Sequence, residues 1–142
     1  MKNSELSDHE FLAEFEAATL TDFHHVDHIR AAWIYLRQLP FPQASEHMVE
    51  SLRHFAARNG AHQKYHETIT QAWMLLVADA LERDRKATGT FDAFAAAHTE
   101  LLDAHALDRF YSSRLLASPT ARARFVPPDL SPLPRAAHDP KY

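Results

Sequence analysis

The sequence has no cysteine and only two glycines among its 142 residues. Without cysteine the chain can form neither disulfides nor thiolate metal sites, and it has no cysteine nucleophile. β-Branched residues are sparse and never alternate over the length of a strand, which argues against a β-sheet. Helix-forming residues such as Ala, Leu, Glu and Arg dominate, so we predict an all-α fold.

The chain also lacks a strong charge of one sign and a long hydrophobic run. Its formal net charge is −4, and its 15 Lys and Arg residues are dispersed, which argues against a nucleic-acid surface. No stretch has the length of a transmembrane helix, and residues 1–20 do not resemble a signal peptide. We therefore expect a cytoplasmic protein with no nucleic-acid or membrane partner.

Capping and breaking residues predict one domain, a bundle of four to five helices over residues 1–142. Ser7 and Glu10 form a capping box for the first helix. Thr21 or Asp22 is expected to cap a second helix, which ends before Pro40. Later helical segments are expected over residues 43–58, with Asn59-Gly60 as the stop, and over residues 62–86, 91–104 and 107–116. Ser118 is expected to cap a last turn that starts at Pro119.

Both ends of the chain are predicted to differ from the bundle. Residues 1–6 precede the first cap and are expected to be a flexible start. Five prolines follow residue 126, and proline favours extended backbone. We therefore predict that residues 126–142 form an extended arm packed on the bundle.

Histidine is the abundant residue that needs an explanation. The chain has 11 His, about three times the ordinary usage for its length. His24, His25 and His28 fall within one and a half helical turns. His25 lies on an apolar stripe with Ile29, His28 lies at its edge, and His24 lies nearer the rim. Inward-facing imidazoles are costly unless something satisfies them.

A second polar cluster opens the fourth predicted helix. His66 lies on its apolar stripe with Ile69 and Trp73, and Glu67 is adjacent. Tyr65 and Thr70 are expected to contact a ligand or to orient an imidazole. A third helix supplies His98 to an apolar stripe, and bundle interiors are where facing helices build sites.

These residues predict a buried small-molecule site between the second and fourth helices. One version holds a divalent metal, Fe, Zn or Mn, through His25, His28, His66 and Glu67, because imidazole and carboxylate suit these ions. The metal-free version uses His28 or His66 as a general base tuned by a nearby carboxylate. The predicted ligand-binding residues are His25, Arg30, Tyr65, Thr70 and His98. Either version allows an enzyme, with His28, His66 and Glu67 as its catalytic residues.

Two structural alternatives compete with this site. Asp27 and Arg30 are three residues apart, so a surface ion pair competes with a role in which Arg30 holds an anionic ligand and Asp27 orients a histidine. Residues 72–78 are apolar nearly all round, which is typical of a central helix or of one buried in a homodimer. On the latter interpretation the protein is a non-catalytic binding module with structural histidines.

Three motifs resemble those of a family of small bacterial all-helical proteins. They are Phe-His-His-x-Asp-His-x-Arg-x-Ala-Trp at 23–33, Lys-Tyr-His-Glu-Thr-Ile-Thr at 64–70 and Pro-Asp-Leu-x-Pro-Leu-Pro at 128–134. The resemblance implies a cytoplasmic bacterial protein. It carries no activity with it.

Overall fold

The computed structural model describes residues 2–84 and 89–134. Within these ranges the chain forms seven α-helices, four short 3-10 helices and no β-strand, so the all-α prediction is confirmed. The α-helices are α1 (Asp8–Glu16), α2 (His25–Gln38), α3 (Phe41–Arg58), α4 (Glu67–Arg83), α5 (Phe91–Ala97), α6 (Ser113–Leu116) and α7 (Pro119–Ala123). The 3-10 helices are Asn3–Glu5, His62–Lys64, Thr99–Leu102 and Ala106–Arg109.

The four longest helices form the bundle, and α4 is its centre. α2, α3 and α4 pack against one another, α1 packs on α2 and α3, and α7 packs on α4. Large aromatic side chains fill the interior because they remove the most apolar surface from water. The largest buried side chains include Phe11, Phe15, Trp33, Tyr35, Trp73 and Phe94.

Every residue from 72 to 78 in α4 is buried within the single chain. The homodimer prediction was based on the idea that a small bundle could not cover this helix. Because α2, α3 and α7 all contact α4 within one chain, a second copy is not needed to bury this helix. The homodimer therefore stays a prediction without support from the burial of α4. No helix of the described residues is long and apolar enough to cross a membrane.

Three predicted helix boundaries are confirmed. Ser7 caps α1, and Glu10 closes the capping box by accepting from the Ser7 amide at 2.9 Å. Gly60 follows α3 with a φ of 68°, the left-handed conformation that glycine adopts without strain. Ser118 caps α7, with Pro119 as its first residue.

The predicted start of the second helix was wrong. α2 begins at His25, not after Thr21 or Asp22, because Asp27 organises the helix start. Its carboxylate accepts from the His24 amide at 2.8 Å and from Asn3 Nδ2 at 3.1 Å. Asp27 is buried, and Arg30 pairs with Asp8 instead, so the expected surface ion pair of Asp27 with Arg30 is absent. The bonds of Asp27 go to a backbone amide and to Asn3, not to a histidine ring.

The other predicted helices either start at a different residue or are interrupted. α3 starts at Phe41 and contains Pro42, because proline is tolerated in a first turn. The segment expected over residues 62–86 is a 3-10 turn followed by α4. The segments expected over residues 91–104 and 107–116 likewise become α5, two 3-10 turns and α6. The end of the segment expected over residues 62–86, residues 85–86, lies outside the described residues.

The C-terminal segment is anchored to α4 through Thr68. The Thr68 hydroxyl donates to the Arg124 carbonyl at 2.9 Å and accepts from the Val126 amide at 3.1 Å. The Tyr111 hydroxyl donates to the Val126 carbonyl at 2.7 Å. Residues 126–134 form neither helix nor strand and bend at 129–131. Leu133 is buried and the Leu130 amide donates to the Phe110 carbonyl at 2.9 Å, so this part of the predicted arm contacts the bundle. The rest of the predicted arm, residues 135–142, lies outside the described residues.

Replacing Thr68 by Val should lower the free energy of unfolding by about 1–3 kcal/mol. The Thr68→Val variant keeps the side-chain shape and leaves the Arg124 carbonyl and the Val126 amide without their partner. The matched control is Thr99→Val at an exposed site, which should change the free energy of unfolding by about 0.5 kcal/mol or less. Urea unfolding followed by circular dichroism measures both. Equal stability of the two variants would show that Thr68 does not anchor the segment.

Candidate functional site

A cavity of about 300 Å³ lies where α2, α3, α4 and the 3-10 turn His62–Lys64 meet. We call it the α3–α4 cavity. It is lined by His28, Leu52, Phe55, Ala56, Asn59, Ala61, Lys64, Tyr65, His66, Ile69 and Thr70. The structure thus brings His28 from one predicted cluster and His66 from the other to a single cavity. Its volume is at the small end of the range for ligand pockets, about 300–1,000 Å³.

His28 has a ring nitrogen that is buried without a partner. No hydrogen-bond partner for its Nε2 exists among the described residues. Burial, reinforced by the nearby His25, lowers the pKa of His28 from 6.5 to about 4. The imidazole is therefore neutral at pH 7, and its Nε2 lacks a bond whether it carries a proton or a lone pair.

His66 lines the same cavity, but both of its nitrogens are bound to backbone groups. Nδ1 accepts from the Ile69 amide at 3.1 Å and so caps α4. Nε2 lies 2.7 Å from the Leu116 carbonyl and must be the protonated nitrogen. Burial lowers the pKa of His66. In this arrangement neither nitrogen offers a free lone pair to a metal ion or a substrate.

Glu67 is held by three side chains beside the mouth of the cavity. Oε1 accepts from the Tyr65 hydroxyl at 2.7 Å and lies 3.5 Å from an Arg53 nitrogen. Oε2 accepts from Gln71 at 3.0 Å. Burial, and then the bond to Glu67, raises the pKa of Tyr65. Glu67 itself is not part of the lining, so it acts on the cavity only by orienting Tyr65.

His25 and Thr70 are also committed to backbone carbonyls. His25 Nε2 donates to the Leu101 carbonyl at 2.8 Å, and its ring packs 4.6 Å from that of Trp73. His25 does not line the cavity. Thr70 does, but its hydroxyl donates to the His66 carbonyl at 2.8 Å.

Arg30 holds the start of the chain and lies outside the cavity lining. It pairs with Asp8 at 2.9 Å and donates to the carbonyls of Asn3 and Leu6. Its guanidinium also stacks 4.5 Å over the ring of Phe11. Residues 3–6, predicted as a flexible start, are thus tied to α2. The guanidinium is engaged by these internal bonds, and a ligand contact of Arg30 stays a prediction without support from the cavity lining.

His98 is buried at the end of α5 and is separate from the cavity. Its Nε2 lies 3.0 Å from Asp84 Oδ2 and its Nδ1 lies 3.5 Å from Glu100 Oε1. The ring packs 4.8 Å from that of Phe94. It was correctly placed on an apolar stripe, but it joins α5 to the end of α4.

The predicted metal ligands are not assembled around one point. Within residues 2–84 and 89–134, no group of three or more His, Asp or Glu side chains is placed to hold a metal ion. Among His25, His28, His66 and Glu67, only His28 has an unpartnered buried atom. Binding of Fe, Zn or Mn stays a prediction.

Sequence reasoning missed the contribution of α3 to the site. Leu52, Phe55 and Ala56 have the spacing of a core-facing stripe, and nothing in that pattern distinguishes a packed wall from a cavity wall. Lys64 and Asn59 were also missed. Both flank the break at Gly60, and that position between two helices was the available signal.

Comparisons with protein-family models, with curated proteins and with solved structures found no match to this chain. The resemblance of its motifs to a bacterial helical family therefore stays a prediction.

Replacing His28 by Leu should raise the free energy of unfolding at pH 7 by about 1–2 kcal/mol. Leucine has a similar volume and removes the buried nitrogen that has no partner. The control is His25→Leu, which should destabilise the protein because it removes the bond to the Leu101 carbonyl. Chemical denaturation of both variants measures the difference. A His28→Leu variant that is less stable than the native chain would identify His28 as a structural core residue.

The same variant should weaken the dependence of stability on pH. As the pH falls below about 6.5, the unfolded chain protonates His28 while the folded chain does not until about pH 4. The free energy of unfolding of the native chain should therefore fall by up to about 1.4 kcal/mol per pH unit in this window from this group alone. Between pH 6.5 and 5, the native chain should lose about 1.5 kcal/mol more than His28→Leu. Equal losses would contradict the lowered pKa.

Proposed function

We propose that the α3–α4 cavity binds a small molecule that supplies the hydrogen bond missing at His28. The observation that supports this most directly is the buried Nε2 of His28, on a residue that lines the cavity, with no partner in the described part of the chain. A buried polar group in this state costs about 1–3 kcal/mol. A ligand that bonds to it recovers that free energy on binding.

The cavity has the composition of a ligand pocket. Its walls are largely apolar, through Leu52, Phe55 and Ile69, with a few polar groups among them. Such walls bind the body of a ligand, whereas sparse polar groups fix its orientation. Since Nε2 of His28 is shielded from solvent, contact with a ligand requires a small displacement of the ring or of the wall beside it.

The chemistry of the two histidines favours binding over general-base catalysis. A base with a pKa near 4, as at His28, takes up a proton weakly at neutral pH. His66 has no free nitrogen, because one bonds to Ile69 and the other to Leu116. We therefore assign His28 the role of a neutral hydrogen-bonding group for a ligand.

A cavity-filling variant tests this function. Indole and phenol serve as probes, because each combines a small apolar body with one hydrogen-bonding group. In ¹H–¹⁵N spectra we expect them to shift the amides of α3 and α4 that line the cavity, and the ring nitrogens of His28. Ala56→Phe should abolish these shifts by occupying the cavity, because Ala56 is part of its wall.

The matched control is Ala57→Phe, one residue along the same helix. Ala57 is exposed and does not line the cavity, so binding should persist in this variant. Absence of shifts in the native chain at about 1 mM probe, the affinity range of such small ligands, would overturn the proposal. Shifts that survive in Ala56→Phe would place binding elsewhere.

A further inference from the structure

Most polar side chains that line the α3–α4 cavity have already used their hydrogen-bonding groups. Asn59 Nδ2 donates to the Phe55 carbonyl at 2.8 Å. The hydroxyl of Tyr65 donates to Glu67, that of Thr70 donates to the His66 carbonyl, and both nitrogens of His66 are bound. Within the described residues, His28 and the exposed Lys64 are the polar lining residues whose side chains form no hydrogen bond, whereas Asn59 keeps a free amide oxygen.

Lys64 is the charged member of the lining. No Asp or Glu lines the cavity, and the Lys64 ammonium forms no salt bridge within residues 2–84 and 89–134. A lysine ammonium is a compact point charge on a flexible stem with three donors. It can therefore turn toward an anionic group of a ligand at the cavity mouth without breaking an existing ion pair.

The surrounding chain adds to this positive charge. Residues 51–66 include Arg53, Arg58 and Lys64 and no acidic residue, in a chain whose net charge is −4. Glu67, the next acid in the sequence, is paired with Arg53. The C-terminal end of α3 and the N-terminal end of α4 both reach the cavity, and their opposite dipoles offset each other. The side chains therefore decide the sign of the local field.

The remaining walls specify the rest of the ligand. Leu52, Phe55 and Ile69 offer apolar surface, and the volume of about 300 Å³ admits only a small body. We propose that the ligand of the cavity is a small monoanion with an apolar body, such as an aromatic or branched carboxylate, whose charge pairs with Lys64. This inference rests on the proposed function of the same cavity.

Three compounds that share one body and differ in charge test the inference. Phenylacetate is the anion, phenylacetamide the neutral analogue and phenethylamine the cation. Titrations followed by ¹H–¹⁵N shifts of the cavity amides give their dissociation constants. Phenylacetate should bind about fivefold more tightly than phenylacetamide, the upper range for an exposed ion pair. Phenethylamine should bind most weakly, and added salt should reduce the differences.

Two variants assign this preference to a residue. Lys64→Met keeps the stem and removes the charge, so the anion and the amide should then bind within about twofold of each other. Arg58→Met is the control, since Arg58 is exposed at the end of α3, two residues before Gly60, but does not line the cavity. It should keep most of the preference for the anion.

The outcomes distinguish a failure of the anion proposal from a failure of the proposed binding function. Equal binding of phenylacetate and phenylacetamide, or tighter binding of phenethylamine, overturns the anion proposal and leaves the cavity as a binding site. An anion preference that survives in Lys64→Met overturns the assignment to that residue. No binding of any of the three compounds, together with no shift by indole or phenol, overturns both proposals.

Discussion

The hydrogen bonds of the His66 ring determine how the two halves of the chain meet. One nitrogen begins α4, and the other bonds to the Leu116 carbonyl, fifty residues further along the chain. Arg122 adds contacts from α7 to the carbonyls of Gln63 and Tyr65. This arrangement requires one tautomer of a neutral imidazole, since a protonated ring has two donors and cannot accept from Ile69. The position of α4, and with it the cavity wall, depends on that ring.

The cavity is built largely from groups whose polar atoms point into the protein and not toward a ligand. Tyr65, His66 and Thr70 stabilise the turn before α4 and its first residues, and they contribute mainly carbon surface to the lining. The two exceptions differ in kind. His28 is neutral and shielded, whereas Lys64 is charged and exposed. A site with one neutral and one charged polar group beside an apolar wall selects a ligand by its charge as well as by its apolar surface.

Local signals in the sequence were sufficient for the fold class and for several helix ends. Ser7, Gly60 and Ser118 were identified because caps and stops depend on a few adjacent residues. The start of α2 was missed because Asp27 is stabilised by Asn3, which lies 24 residues earlier. Apolar periodicity correctly brought His28 and His66 together, but it could not show that a distant carbonyl would occupy a ring nitrogen. Long-range partners of this kind are set by tertiary packing, which a local pattern does not record.

The burial of α4 also affects when the chain can complete its folding during synthesis. α7 packs on α4, the helix that carries the buried apolar residues 72–78, and Thr68 bonds to residues 124 and 126. A ribosome-bound chain that ends before α7 therefore has an incomplete cover over its most apolar helix. Exposed apolar surface of this kind attracts chaperones and promotes aggregation. Synthesis of α7 and of residues 124–126 is thus required before the bundle can fold completely.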